Sequence, residues 1–244
     1  MHALYSFDFL TTISKQLREN LDALQITVLD SNSLAALTEF QNLHKKKKGV
    51  YVVHYQGSPK YVGKADNLAN RLGQHYRKLG GRRNIDPPAI GYKCLILDNS
   101  MSTAANEDLL IAQYQSEVDE MWNGQGFGPN DPGKHRDTGT PSFFDREFPI
   151  RLDIELQDIP DRLSLGALSR AMKSELPYLF RYSLENRADE MAELSNVPRT
   201  PDQLLQALVN HLGEGWRGAI LSYGLVLYHN RKNYPHGVHI DPTV

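Results

Sequence analysis

Residues 49–65 read GVYVVHYQGSPKYVGKA, and this stretch decides the fold. The apolar residues around Val52 are typical of a buried strand. Residues 57–59, Gly-Ser-Pro, have the composition of a turn, and KYVGKA returns as the partner strand. The stretch therefore predicts a β-hairpin that places Tyr51 and Tyr61 on neighbouring strands.

Two helices and a third strand are predicted after the hairpin. Asp66 stands at an N-cap position and opens the first helix, and two glycines at 80 and 81 end it. The order strand, strand, helix, strand, helix predicts an α+β fold, a small α/β sandwich with a three-stranded antiparallel sheet flanked by helices. The predicted elements are a helix over about 67–79, a strand over 90–98, and a helix from a cap at Ser102 or Thr103 to about residue 118.

Residues 1–44 form two predicted helices without recognisable chemistry. Their apolar residues recur every three or four positions, and Ser31 or Ser33 would cap the second helix. We expect this segment to pack on the core or to form a dimer contact. The apolar positions are Ile13, Leu17, Leu21 and Leu24 in the first helix and Leu34, Leu37, Phe40 and Leu43 in the second.

The composition bounds the class of protein. At 244 residues the chain can bury an ordinary core. It has no run of 18 or more apolar residues, and its N-terminus lacks the zones of a signal peptide, so we expect a cytoplasmic protein. The single cysteine, Cys94, lies in the apolar run CLIL and is expected to be a buried structural thiol.

Positive charge is concentrated between Lys45 and Lys93. This stretch holds 12 lysines and arginines against Asp66 and Asp86, a net charge of +10; since the whole chain carries −2, the rest carries −12. The contrast predicts one basic face, and the phosphate backbone of a nucleic acid is the polyanion that such a face would bind. The lysine tetrad at 45–48, taken by itself, reads equally well as a solvated linker.

Five elements of the sequence occur together in a recognisable order. They are Gly49-Val50-Tyr51, Tyr61-Val62-Gly63, Arg71 with His75, Glu107, and Asn123 after Trp122. In order and approximate spacing they resemble the GIY-YIG nuclease family, with valine in place of isoleucine in both tripeptides. Lys64, the Arg71–His75 pair and the loop WNGQGFGPNDPGKHRD make the closer resemblance one to its type II restriction endonuclease branch. The resemblance covers residues 45–150, the predicted nuclease core.

These residue types suit the hydrolysis of a phosphodiester, which needs an activated water, stabilised phosphoryl oxygens and help for the leaving 3′ oxygen. The resemblance implies that Glu107 holds one divalent cation, Mg²⁺ with Mn²⁺ able to replace it, because one acidic residue is available. Helical periodicity places Glu107 beside the apolar face of its helix and turns Asp108 away. Arg71 would form a forked contact with the scissile phosphate.

The resemblance also implies that Tyr51 is the general base or orients the water. A phenol is a poor base at neutral pH, so neighbouring charges, Lys64 and Arg71 among them, would have to favour the phenolate. Tyr61 and His75 would assist, and which of the two tyrosines or His75 accepts the proton stays open.

The stretch after Asn123 is rich in glycine and proline and predicts a loop. Asn123 itself could hold the backbone or contact substrate. Polar side chains of the loop can read base edges, and the resemblance implies that they contact DNA. The predicted DNA contacts are Lys45, Lys46, Lys47, Lys48, Arg77, Lys78, Arg82, Arg83, Asn130, His135 and Arg136.

Residues 151–244 are predicted to form a mostly helical extension that packs, dimerises or contacts DNA. Its three late histidines, at 229, 236 and 239, match no zinc spacing. Apolar and polar residues alternate from 150 to 156, which predicts a strand. The other predicted elements are helices over 162–173, 176–192 and 201–212 and a strand over 219–228.

Together these features predict a metal-dependent endonuclease that cuts double-stranded DNA, a type II restriction enzyme of a phage-defence system. Cutting both strands suggests a homodimer, and a companion DNA methyltransferase would act on the same site. One alternative is a structure-selective or low-specificity nuclease of repair or mobile elements. Another is a non-catalytic nucleic-acid-binding module, which would have no need of Glu107.

Overall fold

The predicted hairpin forms one side of a four-stranded antiparallel sheet in the computed structural model of the protein. Both turn residues, Gln56 and Gly57, have positive φ, which matches the twist of a two-residue hairpin; the turn therefore precedes the predicted 57–59. A short edge strand joins the three predicted strands. The strands are β1 (Thr27–Val28), β2 (Gly49–Tyr55), β3 (Ser58–Ala65) and β4 (Ile90–Ile96), in the order β1-β4-β2-β3.

The structure describes residues 2, 4–128, 133–230 and 232–243. The chain divides into two compact units: unit 1 comprises Met1–Arg77 and Asp86–Pro129, and unit 2 comprises Lys78–Ile85 and Asn130–Val244. The units do not coincide with the predicted functional divisions at 44/45 and 150/151, which stay predictions.

The helices around this sheet are capped by acidic or amide side chains rather than by the predicted hydroxyls. Asp30 and Ser33 form a capping box at the start of the second helix. The helix predicted to run to residue 118 is two helices, because the chain leaves the helical conformation at Ala105 and the Asn106 side chain starts a new helix. The helices are α1 (Phe9–Asp22), α2 (Ser31–His44), α3 (Leu68–Gly80), α4 (Asn99–Ala104) and α5 (Glu107–Gln115), with a 3-10 turn at Pro87–Ala89.

The two faces of the sheet carry different contacts. On one face, Val52 of β2 joins Leu21 of α1 and Leu110 of α5 in an apolar cluster. On the other face Tyr51 contacts His75 of α3. The sheet is therefore sandwiched between α1 and α5 on one side and α3 on the other, as the α/β sandwich prediction required.

Unit 2 is built on a second sheet and is not mostly helical as predicted. Strand β6 runs parallel to β9, and the other neighbours in the order β10-β8-β9-β6 are antiparallel. The strands are β5 (Arg162–Ser164), β6 (Leu179–Tyr182), β7 (Met191–Glu193), β8 (Trp216–Leu221), β9 (Gly224–His229) and β10 (Val238–Ile240). The helices are α6 (Phe143–Glu147), α7 (Leu165–Glu175) and α8 (Pro201–Leu212), with a 3-10 turn at Lys134–Thr138.

The element predictions for unit 2 were right where the chain is regular over many residues. Helix α8 confirms the prediction over 201–212. The helix predicted over 176–192 is wrong, because Pro177 cannot continue α7 and the chain forms β6 and β7 instead. The strand predicted over 150–156 is reduced to one bridge between Ile150 and Arg82, and the strand predicted over 219–228 is the β8–β9 hairpin.

Within the described ranges, the helices are all too short or too polar to cross a membrane.

Candidate active site

Tyr51 lies in the middle of β2 and is fully buried. In the register of the hairpin it pairs with Gly63 of β3. A Cβ on residue 63 would lie 2.4 Å from Tyr51 Oη, so the phenol occupies space that glycine alone leaves open. A Cβ on Gly49 would lie 2.1 Å from the Leu95 carbonyl oxygen. The glycines of both tripeptide motifs thus allow the close packing that positions Tyr51.

The Tyr51 hydroxyl lies between two side chains of α3. Arg71 Nε donates a hydrogen bond to Tyr51 Oη at 3.2 Å, and Tyr51 Oη lies 2.8 Å from His75 Nε2. Since arginine can only donate, Oη accepts from Arg71; it donates its own hydrogen to His75 Nε2 in the tautomer that carries the ring proton on Nδ1. The four-residue spacing of Arg71 and His75 places both on one face of α3.

Both phenols of the site hold their protons tightly. Burial and the neighbouring Tyr61 raise the pKa of Tyr51 above its ordinary value, Arg71 opposes this rise, and the charge of Glu107 adds to it. Burial likewise raises the pKa of Tyr61, again against Arg71. Arg71 thus favours the phenolate as expected, but burial outweighs it, and Tyr51 carries its proton at neutral pH.

Glu107 begins α5, directly after its N-cap Asn106. It is half-buried, whereas Asp108 is exposed, as helical periodicity predicted. A carboxylate at this end of a helix is stabilised by the helix dipole. Its charge raises the pKa of both Tyr51 and Tyr61, so the carboxylate lies within electrostatic range of the two phenols.

The donor set fits a cation that binds together with substrate. In the described part of the chain, no three His, Cys, Asp or Glu side chains are grouped to hold a metal ion. Magnesium commonly binds through one or two carboxylates and completes its shell with waters and substrate phosphate oxygens. Glu107, which is half-exposed, can supply that single hard oxygen ligand.

Lys64 does not approach the Tyr51 hydroxyl. It pairs with Val50 in the hairpin, and because side chains alternate along a strand, it lies on the face of the sheet opposite Tyr51. Its Nζ donates to the Ala105 carbonyl oxygen at 2.9 Å. Lys64 thus connects β3 to the segment that precedes Glu107, and its contacts indicate that it positions that helix start.

Asn123 supports the free edge of β3. Its Oδ1 accepts from the Val62 amide at 2.9 Å and its Nδ2 donates to the Val62 carbonyl at 2.8 Å. The side-chain amide thereby imitates a neighbouring strand, and Trp122 N donates to the Lys60 carbonyl beside it. These contacts support the structural alternative for Asn123.

Two aromatic side chains that the sequence did not predict, Phe127 and Trp122, complete the site. Phe127 is fully buried and stacks on His75, with ring centroids 4.8 Å apart and an interplanar angle of 23°. It meets Tyr61 edge-on at 5.1 Å and Trp122 at 5.0 Å. The one signal in the sequence was a lone phenylalanine among the glycines of GQGFG, since an apolar side chain in such a loop needs a place to pack.

The lysine tetrad lines a cleft in unit 1. Lys45 ends α2 in a left-handed conformation and the chain enters β2 four residues later, so the tetrad is no extended linker. Lys45 to Lys48 line a cleft of about 480 Å³ whose one acidic side chain is Asp66. Lys48 Nζ lies 3.3 Å from Asp66 Oδ1, and both side chains are exposed. Arg77, at the end of unit 1, is also exposed.

Two arginines predicted to contact DNA are instead structural in unit 2. Arg82 is buried and donates to Asp145, which is fully buried, at 3.1 Å. Arg136 also pairs with Asp145 and lies 3.9 Å above the Tyr223 ring. If either guanidinium moved to DNA, the buried Asp145 carboxylate would lose one of its two positive partners. The structure therefore corrects the prediction that these two arginines contact DNA.

The other predicted DNA contacts lie in unit 2 or outside the described residues. Lys78 Nζ lies 5.6 Å from the Phe144 ring, and Arg83 and His135 are exposed in unit 2. Asn130 lies outside the described residues.

Cys94 and two of the late histidines take positions without evident chemistry. Cys94 is half-buried in β4, and burial raises the pKa of its thiol to about 11; such a thiol is protonated at neutral pH and unreactive. In unit 2, His229 stacks on Trp216 and His239 accepts a hydrogen bond from the Tyr234 amide.

A comparison with protein-family models agrees with this geometry. Residues 47–118 match the family described as the GIY-YIG catalytic domain. The match supports the GIY-YIG nuclease family for this segment, and with it an endonuclease that acts on DNA. A search of the curated proteins gave no match for the chain.

Proposed function

We propose that this protein is a metal-dependent endonuclease that hydrolyses double-stranded DNA, and that it is of the type II restriction class. The observation that carries the proposal is the Tyr51 hydroxyl held between Arg71 and His75, within electrostatic range of the Glu107 carboxylate. A buried phenol paired with an imidazole has no evident use in a module that only binds. Residues 45–48, which line a cleft in the same unit, add positive charge for the DNA backbone.

The hydrogen bonds supply a path for the proton of the attacking water. The water transfers a proton to Tyr51 Oη while the Tyr51 hydrogen passes to His75 Nε2, 2.8 Å away. Because the two transfers are coupled, no free phenolate forms, and the raised pKa of Tyr51 is no obstacle. The resulting hydroxide forms a bond to phosphorus as the bond to the 3′ oxygen breaks, which leaves a 5′-phosphate and a 3′ alkoxide; the alkoxide takes a proton from solvent water and becomes the 3′-hydroxyl.

Arg71 and Glu107 handle charge on the phosphate. Arg71 NH1 bonds Gln74 Oε1 at 3.0 Å, an exposed contact that a phosphate oxygen would replace, while Nε stays on Tyr51. Glu107 would hold Mg²⁺ or Mn²⁺, which when bound neutralises the phosphoryl oxygens and stabilises the leaving 3′ oxygen.

Restriction activity and its partners follow from the resemblance of the loop after Trp122. Cleavage of both strands would use two such sites, and we therefore propose a homodimer. A companion DNA methyltransferase would protect the same recognition sequence.

Cleavage of supercoiled plasmid DNA, with and without Mg²⁺, tests the metal-dependent activity. Glu107→Ala should abolish cleavage and retain DNA binding, because it removes the proposed metal ligand while the fold and the cationic residues remain. Asp108→Ala is the matched control, since its carboxylate is exposed one residue later on the same helix, and it should cut like the wild type. Undiminished cleavage by Glu107→Ala would refute the site.

Sequencing the product ends separates the kinds of nuclease. Discrete fragments that share one terminal sequence support the restriction class. A smear, or cleavage confined to junctions and branches, would show a low-specificity or structure-selective nuclease instead.

A further inference from the structure

The glycine-rich stretch after Trp122 delivers one side chain to the candidate active site. Gly124 and Gly126 have φ values of 72° and 97°, conformations that other residues rarely adopt. These turns bring the Phe127 ring to full burial, beside His75. The loop is therefore shaped around this ring, and the Phe127 ring has no role in the chemistry proposed above.

The Phe127 ring touches His75 and Tyr61 in two different ways. Its face stacks on the imidazole at 4.8 Å and 23°, and it meets the Tyr61 ring at 79°. Trp122 packs against it at 5.0 Å and in turn lies 6.0 Å from Tyr55 of β2. Contacts of this kind have preferred geometries and hold the rings in defined planes.

The plane of the His75 ring matters because the proton path ends on one of its atoms. Rotation about the bond to an imidazole is loosely restricted in the side chain itself. The contact between Tyr51 Oη and Nε2 fixes the direction of that atom. A flat partner against the ring face restrains the plane of the ring, and it also excludes water from an imidazole that is 2% exposed.

We propose that Phe127 is a positioning residue for His75: its ring holds the imidazole in the plane in which Nε2 receives the proton of Tyr51. The role in turnover rests on the proposed nuclease function, while the positioning itself does not. Positioned groups of this kind lose catalytic rate when they move by about 1 Å, even though binding of the substrate is unchanged.

Phe127→Leu tests the proposal, because leucine keeps an apolar side chain and lacks the flat face. We expect kcat for DNA cleavage to fall by about 10- to 100-fold, with KM changed by less than about threefold. Phe180→Leu is the matched control: Phe180 is equally buried beside an aromatic neighbour in unit 2, and its loss should leave kcat unchanged. If the leucine variant does not fold, Phe127→Met refills the space with a flexible side chain.

Nitrogen NMR of ¹⁵N-histidine-labelled protein gives a readout that needs no cleavage. The wild type should show His75 as a single tautomer with Nε2 accepting a hydrogen bond, and Phe127→Leu should show shifted or exchange-averaged ring nitrogens. Unchanged His75 signals would overturn the positioning role. Changed signals with unchanged kcat would overturn its part in catalysis, and a wild type that cuts no DNA would refute the nuclease function while the NMR result still decides the positioning.

Discussion

Replacing Gly63 with alanine should slow DNA cleavage by about 100-fold while the protein stays folded. The new Cβ would lie 2.4 Å from Tyr51 Oη, whereas ordinary van der Waals contact begins at 3.4 Å. The hydroxyl must therefore move by about 1 Å, a displacement that can lower the rate of a positioned group by about 100-fold. The same move would lengthen the 2.8 Å contact with His75 Nε2 beyond hydrogen-bonding range.

The stability cost of this substitution is smaller than its effect on rate. Overpacking a buried site by one methyl group costs about 1–3 kcal/mol, which a folded domain of ordinary stability tolerates. Gly73→Ala is the matched control, because Gly73 lies on α3 between Arg71 and His75 and a Cβ there meets nothing within 4 Å. It should cut at the wild-type rate and gain roughly 0.5–1 kcal/mol of stability.

The assay is single-turnover cleavage of a plasmid with enzyme in excess, so that binding and product release do not limit the rate. Thermal unfolding of both variants is measured alongside. A folded Gly63→Ala protein that cuts within about threefold of the wild-type rate would show that the position of the Tyr51 hydroxyl does not control the rate of cleavage.

Three further predictions concern pH, a buried charge and salt. Burial and the charge of Lys93 lower the pKa of His54 from 6.5 to about 4, so the unfolded chain binds a proton at a higher pH than the folded protein does. The free energy of unfolding should therefore fall by roughly 3 kcal/mol as the pH drops from 6.5 to about 4. In urea titrations, His54→Gln should show a flatter pH dependence than the wild type. Asp145→Ala, which leaves two arginines without their buried partner, should lower the free energy of unfolding by roughly 3–5 kcal/mol, whereas alanine at the exposed Asp153 should change it by less than about 1 kcal/mol. Replacing all four lysines at 45–48 with alanine should reduce the slope of log K for DNA binding against log salt by up to about 3.6; an unchanged slope in fluorescence anisotropy would show that the tetrad does not bind phosphates.

Local patterns predicted the parts of the site that lie close in sequence. The hairpin, the pairing of Arg71 with His75 and the phase of Glu107 follow from strand alternation and helical periodicity, which act over a few residues. Their convergence on Tyr51 came from the family resemblance, and the match over residues 47–118 agrees with it.

Features that depend on register or on distant partners were not predictable in this way. Lys64 lies on the face opposite Tyr51 because a bulge between Val53 and His54 shifts the register of the hairpin by one residue, so that Lys64 pairs with Val50. The burial of Arg82 depends on Asp145, which lies 63 positions later. The parallel pairing of β6 with β9 likewise joins distant segments, so that pairing left no local signal.

In the proposed mechanism the Tyr51 hydroxyl takes the proton of the attacking water, and Tyr51→Phe tests this role most directly by removing one oxygen atom from a ring that stays packed. Single-turnover cleavage with Mg²⁺ should fall by about 100-fold or more while DNA binding is retained. Tyr61→Phe, the control on the neighbouring strand, should lose much less. Cleavage by Tyr51→Phe at the wild-type rate would show that Tyr51 does not accept the proton.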